Sequence, residues 1–490
     1  MYFCKLLTGF GLLNACFNVG RVGAGPAGLR GAGQTHQVLV FDAGSSGTRI
    51  HVFNIFTSAG SQGEQMPQID LKVRDKQSLK VKPGLSSFAE RDDLVGVQRN
   101  IEELLEFTKQ FVPESRRSST PMLLKATAGL RAVAAEKAEA VLTRVRETLS
   151  ASGYRFQPEW ADIIQGKEEG GLAWVAANYL QGTFEQKDGR SLGVIEMGGG
   201  STQVTFEIQK SDQIAISDEF TFTAGGKEYR LYAHSYLGYG QDHAQARMRA
   251  LTPAAELQDP CYPKGYERTG PMGSSSWVQG SGDGASCRTN IETRLLSASE
   301  DAPGQYSKEL PLKPGNFIAT ENFFYVQKDV SMGFEDRIVR ESDWEAAAES
   351  TCKAPLKPTE QQVADMHSGN ADAGNPKTCF GLSYQGMLLR ALKASSPGID
   401  VRVAHKVNGG DVDWALGAAL VHFLQGHAAH DPDAFPSLGL PIVVLLIVSG
   451  LLTAWLAARR LAPSLCSTRK LAQAAGINPS KIGAGSSPAE

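Results

Sequence analysis

At 490 residues the chain exceeds what one hydrophobic core ordinarily organises, so two packed lobes are expected. Its composition, 42% hydrophobic and 21% charged, is ordinary for a globular protein. A formal net charge of −3 supplies no basic excess, which excludes recruitment of nucleic acid by bulk charge.

Residues 1–20 carry a positive charge at Lys5 and an apolar run over 6–19 that Asn14 and Asn18 interrupt. The run is too short and too polar to span a bilayer comfortably, and it reads as a cleaved signal peptide, with an N-terminal signal anchor as the alternative. Residues 21–37 read as a flexible Gly/Ala-rich lead-in. Their Gly23-Ala-Gly-Pro-Ala-Gly28 fits GxGxxG, but no strand precedes it and Gly31 and Gly33 break any following helix, so it is not read as a dinucleotide site.

The core is expected to start with a strand over 38–41, a turn over 42–49 and a second strand over 50–56. Leu94, Val97, Ile101, Leu104, Leu105 and Phe111 recur at helical spacing, predicting a helix over 92–112 with Asp92 or Asp93 as its N-cap. A buried strand over 121–126 follows, ending in Thr127-Ala-Gly129, then a helix over 134–149. Another helix is expected over 170–180, directly after Glu168 and Glu169. An apolar strand over 192–197 enters a Gly-rich turn. This alternation predicts an α/β architecture.

Residues 253–305 are rich in Gly, Ser, Pro and Asp and read as a disulfide-tethered surface excursion. An apolar helix over 412–424 precedes a linker over 427–437. Residues 438–458 contain no charge and are long enough to span a bilayer. Arg459, Arg460, Arg469, Lys470 and Lys481 follow them, which predicts type I topology with a cytosolic tail over 459–490. The globular part then faces the lumen or the outside.

Of seven cysteines, Cys261, Cys287, Cys352 and Cys379 fall in that globular part, and their even number predicts two disulfides. Three pairings are open; the sequential one closes the shortest loops. No cysteine or histidine cluster suggests zinc, and no permitted Asn-x-Ser/Thr acceptor occurs.

One internal repeat carries the functional reading. VFDAGSSGTRIHVF at 40–53 aligns without gaps with VIEMGGGSTQVTFE at 194–207, an offset of 154 residues. Asp42 aligns with Glu196, Gly44 with Gly198 and Thr48 with Thr202, which implies a duplicated module. A Gly-rich turn lets successive backbone N–H groups converge on an anion, and Ser and Thr hydroxyls add donors. The candidate phosphate ligands are therefore Ser45, Ser46, Gly47, Thr48 and Arg49 in the first turn, and Gly198, Gly199, Gly200, Ser201, Thr202 and Gln203 in the second. Arg49 can bind phosphate bidentately. Asp42 and Glu196 stand where a hydrated Mg²⁺ or Ca²⁺ would sit beside phosphate, although each alone reads equally as a strand-end cap. Glu169 is the best candidate for a base, although alone it reads as a first-turn glutamate favoured by the helix dipole. His51 and His234 read as structural.

Together these segments resemble the ecto- and Golgi apyrases (nucleoside triphosphate diphosphohydrolases) over roughly residues 38–425. Five ordered motifs carry the likeness: DAGSSGTR at 42–49, KATAGLR at 125–131, IQGKEEG at 164–170, EMGGGSTQ at 196–203 and KVNGGDVDWALG at 406–417. The resemblance implies an actin-like fold of two ribonuclease H-like lobes around a central cleft, with lobe I over 38–160 joined by 412–426 and lobe II over 161–411. It implies Glu169 as catalytic base and the two turns with Thr127 around the phosphates and the attacking water. Asp42 and Glu196 would hold Ca²⁺ or Mg²⁺ largely through water, and Tyr384 would contribute an aromatic wall for the nucleobase. Glu196 departs from the family, which commonly has Asp there. The segment KVKPGLSSF at 80–88 and the sparse cysteines are similar to the ER/Golgi nucleoside diphosphatases. The implied activity is cation-dependent hydrolysis of nucleoside di- or triphosphates in a secretory-pathway membrane. A cell-surface apyrase, a non-hydrolytic nucleotide-binding protein and an exopolyphosphatase-like enzyme stand as alternatives.

Overall fold

The run Val38 to Phe41 is at most 2% exposed throughout, so the strand that contains it is covered on both faces. In the computed structural model, which describes residues 35–57, 66–186, 189–253, 255–269, 277–297, 312–354 and 376–428, this strand is β1 (Thr35–Ala43). It pairs antiparallel with β2 (Thr48–Phe56) and parallel with β5 (Met122–Ala126). With β3 (Gln68–Ile69), β4 (Ser78–Val81) and β6 (Ala161–Ile163) they form one sheet, ordered β3-β2-β1-β5-β6 with β4 also on β2. The sheet thus starts inside the expected lead-in, and it continues past the boundary expected at residue 160.

A second sheet repeats the plan. β7 (Gly193–Met197) pairs antiparallel with β8 (Ser201–Glu207) and parallel with β14 (Gly315–Glu321). β9 (Glu219–Ala224), β10 (Lys227–Leu237) and β15 (Ile399–Val403) complete the order β15-β14-β7-β8-β10-β9. The duplication extends to single atoms. Asp42 faces Arg49 across the first hairpin and Glu196 faces Gln203 across the second. The Gly44 N–H donates to the Gly47 carbonyl at 3.1 Å, and the Gly198 N–H to the Ser201 carbonyl at 3.0 Å.

Each sheet has its own hydrophobic core. The first gathers Leu39, Phe41, Ile50, Ile101, Leu104 and Val145, the second Ile195, Phe206, Phe317, Trp344 and Phe380. The helix Leu94–Thr108 starts at Asp93, whose carboxylate accepts from the Gly96 N–H at 2.8 Å. It stops short of the expected end at 112.

The helix Gly166–Gln181 begins four residues before the expected start, because Glu168 reaches back to the Gln165 N–H at 2.7 Å. It ends at Gly182, whose φ of 78° only glycine adopts without strain. Gly170 and Gly171 let this helix lie against the second sheet. A Cβ on Gly170 would fall 2.5 Å from Thr205 Oγ1, and one on Gly171 2.5 Å from the Phe220 ring. Close approach there brings Glu169 beside β8.

The segment expected as a surface excursion is a correction. Cys261, Tyr262, Tyr266, Ile291 and Leu295 are all at most 2% exposed and belong to the second core. Its Gly/Ser-rich composition concealed these aromatic anchors. The disulfides are the sequential pair, Cys261–Cys287 and Cys352–Cys379, closing separations of 26 and 27 residues. Replacing Cys352 and Cys379 with alanine is expected to cost about 3 kcal/mol, since the cross-link removes loop-closure entropy from the unfolded chain and its loss restores it. A denaturant midpoint unchanged from wild type would contradict this.

The expected signal peptide, the GxGxxG segment, most of the linker, the membrane span and the tail lie outside the described residues. Among the described residues, no helix is long and apolar enough to cross a membrane.

Candidate active site

The two repeated turns share one cavity of about 110 Å³, lined from both halves of the chain. Asp42, Ser45, Ser46, Gly47 and Arg49 line it from the first hairpin, and Glu196, Gly198, Gly199, Gly200 and Ser201 from the second. Thr127, which follows β5, and Glu169 complete the expected set in this cavity. Glycine is required where the turns meet. A Cβ on Gly199 would fall 2.8 Å from Ser45 Oγ, and one on Gly200 2.7 Å from the Ala128 Cβ. The backbone N–H groups of Ser45, Ser46, Gly47, Gly199 and Gly200 donate to no acceptor among the described residues. Such paired nests suit an anion with several oxygens.

Glu169 is buried at the start of its helix, and its Oε2 accepts from Arg131 Nη2 at 2.7 Å and from Gln203 Nε2 at 2.9 Å. Gln203 also donates to Ser201 Oγ at 2.7 Å and to Ser235 Oγ at 3.1 Å. Burial raises the pKa of Glu169, and the Arg131 charge opposes the rise.

Asp42 and Glu196 sit at corresponding points of the two hairpins. Burial, reinforced by Asp413, pushes Asp42 up to about 8, and burial with Glu169 and Glu321 nearby pushes Glu196 well up. Among the described residues no donor reaches the buried Glu196 Oε2. Among the described residues, five carboxylates (Asp42, Glu169, Glu196, Glu321 and Asp413) and two cationic side chains, Arg49 and Lys80, line the cavity. Such a cleft accepts a phosphate chain only together with a cation. Among the described residues no set of three or more side chains is arranged to hold a metal directly. The orphaned Glu196 oxygen and the hard oxygen donors fit a hydrated Ca²⁺ or Mg²⁺.

Some expected residues lie elsewhere. Thr48 is fully buried and does not line the cavity. Thr202 turns inward and donates to the Tyr239 carbonyl at 2.8 Å. Tyr384 is a correction: it is fully buried on the inner side of the helix Pro376–Ala391, stacked on Phe380 and donating to the same Tyr239 carbonyl at 2.5 Å. It forms no cleft wall; Trp414 lines the cavity instead. His51 and His234 stand beside carboxylates, Asp413 at 3.2 Å and Asp218 at 2.9 Å.

Lys80, Glu321 and Asp413 also line the cavity, although no motif reading assigned them to it. Lys80 Nζ donates to Ser46 Oγ at 2.9 Å, and burial beside Arg49 lowers its pKa. Asp413 caps the helix Trp414–Ala428 by accepting from the Ala415 N–H at 2.7 Å. Glu321 has φ 60°, a strained backbone for a residue with a side chain, at the end of β14. Lys80 and Asp413 fall within quoted motifs; Glu321 lies in none.

The family model of the GDA1/CD39 (nucleoside phosphatase) family matches residues 31–431. The chain belongs to this family. Similar relatives include ectonucleoside triphosphate diphosphohydrolase 5 of Bos taurus, 31% identical over 397 residues, covering 79% of this chain and 87% of the relative. Probable apyrase 5 of Arabidopsis thaliana is 31% identical over 416 residues, covering 79% and 82%. A protein of Homo sapiens named nucleoside diphosphate phosphatase is 30% identical over 397 residues, covering 79% and 87%. Among solved structures, nucleoside triphosphate hydrolases from Neospora caninum align with a TM-score of 0.60 at 17% identity, covering 80% of this chain and 93% of that one. This GDA1/CD39 member therefore has the actin-like α/β fold and is a nucleoside phosphatase, a hydrolase. In the nucleoside phosphatase the Gly-rich turns of the duplicated hairpins line one cavity, and the buried Glu169 beside them is held by Arg131 and Gln203.

Proposed function

We propose that the cleft hydrolyses the terminal phosphoanhydride of a nucleoside diphosphate, and less well of a triphosphate. The observation that carries this reading is the convergence of both turns and Glu169 on one phosphate-sized cavity. The N–H groups and hydroxyls of 45–47 and 199–201 grip the terminal phosphate, and Arg49 and Lys80 add charge. Glu169 takes a proton from water, the water oxygen bonds to the terminal phosphorus, and the bond to the bridging oxygen breaks. The leaving electron pair stays on the nucleotide product. Asp42 and Glu196 would hold Ca²⁺ or Mg²⁺ largely through water, and the ion would supply charge neutralisation of the phosphates. In this reading residues 38–163 with 412–426 form one wall of the cleft and 164–411 the other.

The name of the human relative supports a diphosphatase. Two disulfides support work in an oxidising compartment, in keeping with a membrane-anchored, lumenal or extracellular enzyme of the secretory pathway. The test is phosphate release by the full-length protein from UDP, GDP, ADP and the triphosphates, with Mg²⁺ or Ca²⁺. Diphosphates are expected to turn over fastest, and a chelator is expected to abolish release. No release from any nucleotide with either cation would sink the proposal.

A further inference from the structure

We infer that Arg131 is a positioning residue of the hydrolytic step, pinning Glu169 by Oε2 so that Oε1 is the oxygen that takes the proton from water. The inference rests on the reading of Glu169 as base and deepens it.

Arg131 ends the short helix Ala128–Arg131 that follows β5, so it belongs to the side of the first sheet. Its guanidinium makes contacts in three directions. Nη1 donates to the Ile164 carbonyl at 3.1 Å, and Nη2 donates to Glu169 Oε2 at 2.7 Å and to Ser201 Oγ at 3.0 Å. Ser201 begins β8 of the second sheet and Glu169 lies on the helix packed against it, so Arg131 joins the base to the second phosphate turn across the cleft. Gln203 Nε2 reaches the same Oε2 at 2.9 Å. Oε1 accepts no hydrogen bond from the described residues, while Glu169 itself lines the cavity. With Oε2 held by two donors, rotation that would exchange the oxygens breaks both bonds. The side chains of Arg131 and Glu169 are only 13% and 9% exposed, so solvent weakens this pairing little.

Arg131 is not among the residues lining the cavity, which separates its role from phosphate binding. Its charge also matters to the base. Burial disfavours ionised Glu169, and Asp42 on β1 and Glu196 on β7 are like charges nearby. Lys167 and Glu168 on the same helix are engaged with the Ile216 carbonyl and the Gln165 N–H. Arg131 is therefore the group that opposes the burial of Glu169, and its loss raises the pH needed for an ionised base.

The test is the pH dependence of kcat for nucleoside diphosphate hydrolysis in full-length wild type, R131Q, R131K and E169Q at fixed divalent cation. R131Q is expected to lose kcat at least 30-fold at neutral pH with KM within about threefold. Its acid limb is expected to move up by roughly one to three pH units, the effect of an adjacent opposite charge. R131K keeps the charge but not the fork, so it is expected to hold the wild-type limb while losing about tenfold in kcat. Retained binding of a fluorescent nucleotide reports that R131Q is folded; if it does not bind, R131K decides by the same limb. An acid limb at the wild-type pH in R131Q, with kcat unchanged or lowered equally at all pH values, would overturn the inference, as would a displaced limb in R131K. An active E169Q overturns the base assignment itself, whereas an inactive E169Q with an unshifted R131Q limb overturns Arg131 alone.

Discussion

Replacing Glu169 with glutamine is expected to lower kcat by about 10²- to 10⁴-fold, the usual contribution of a general base, while nucleotide affinity stays within a few fold. The change is isosteric and leaves the side chain beside Arg131 and Gln203, which hold the native carboxylate at 2.7 and 2.9 Å. In the proposed mechanism the phosphate contacts belong to the two turns, so ground-state binding survives while the proton acceptor is gone. Wild type carries a matching pH signature. Because burial raises the pKa of Glu169 above its ordinary value of 4.5, the base protonates, and the rate falls, before pH drops to that value. An acid limb at or below pH 4.5, or a Glu169→Gln enzyme with undiminished turnover, would remove Glu169 from the mechanism.

Gly84→Ala is expected to lower kcat/KM by about 100-fold, on the scale that an ångström of misplacement carries in a reactive site. Gly84 precedes the helix Leu85–Glu90 with φ −66°, so alanine fits its backbone. Space is the obstacle. The added Cβ would lie 2.5 Å from the Ser45 carbonyl oxygen and 2.6 Å from that of Gly44, both backbone atoms of the first phosphate turn. That turn cannot retreat freely, since the Cβ position of Gly129 already lies 2.9 Å from the Ser45 Cα. In the proposed mechanism Ser45, Ser46 and Gly47 hold phosphate before and during the reaction, so both kcat and KM should change. Overpacking should also lower stability by about 1–3 kcal/mol. Gly315→Ala, where the nearest atom is 4.0 Å away, is the neutral control. Wild-type kcat/KM in Gly84→Ala would mean that the turn is more compliant than its packing implies.

The duplicated hairpins were legible in the sequence because strand, acid and Gly-rich turn are local features. The offset of 154 residues survives as matching registers, Asp42 on Arg49 and Glu196 on Gln203. What sequence could not fix were directions. The helix Pro376–Ala391 is buried on nearly every side, with Phe380, Leu382, Tyr384, Met387 and Leu388 all at most 2% exposed, so no periodicity marks which face meets the cleft. Tyr384 lies in the core and not at the cleft. Thr48 and Thr202 fall on inward strand positions, and the alternation of a strand buried on both faces leaves no polar signature to warn of it. Arg131 ends a recognised motif, but its contact with Glu169 spans 38 residues of chain and the cleft itself. Glu321 has no local signal beyond an acid ending an apolar strand; only its register beside Met197 brings it near Glu196.

The most direct measurement of base-activated water attack at phosphorus is nucleoside diphosphate hydrolysis by the full-length protein in H₂¹⁸O, analysed by mass spectrometry. Attack at the terminal phosphorus predicts one ¹⁸O in every released phosphate under single turnover and none in the nucleoside monophosphate. Label in the monophosphate, or unlabelled phosphate on the first turnover, would contradict it.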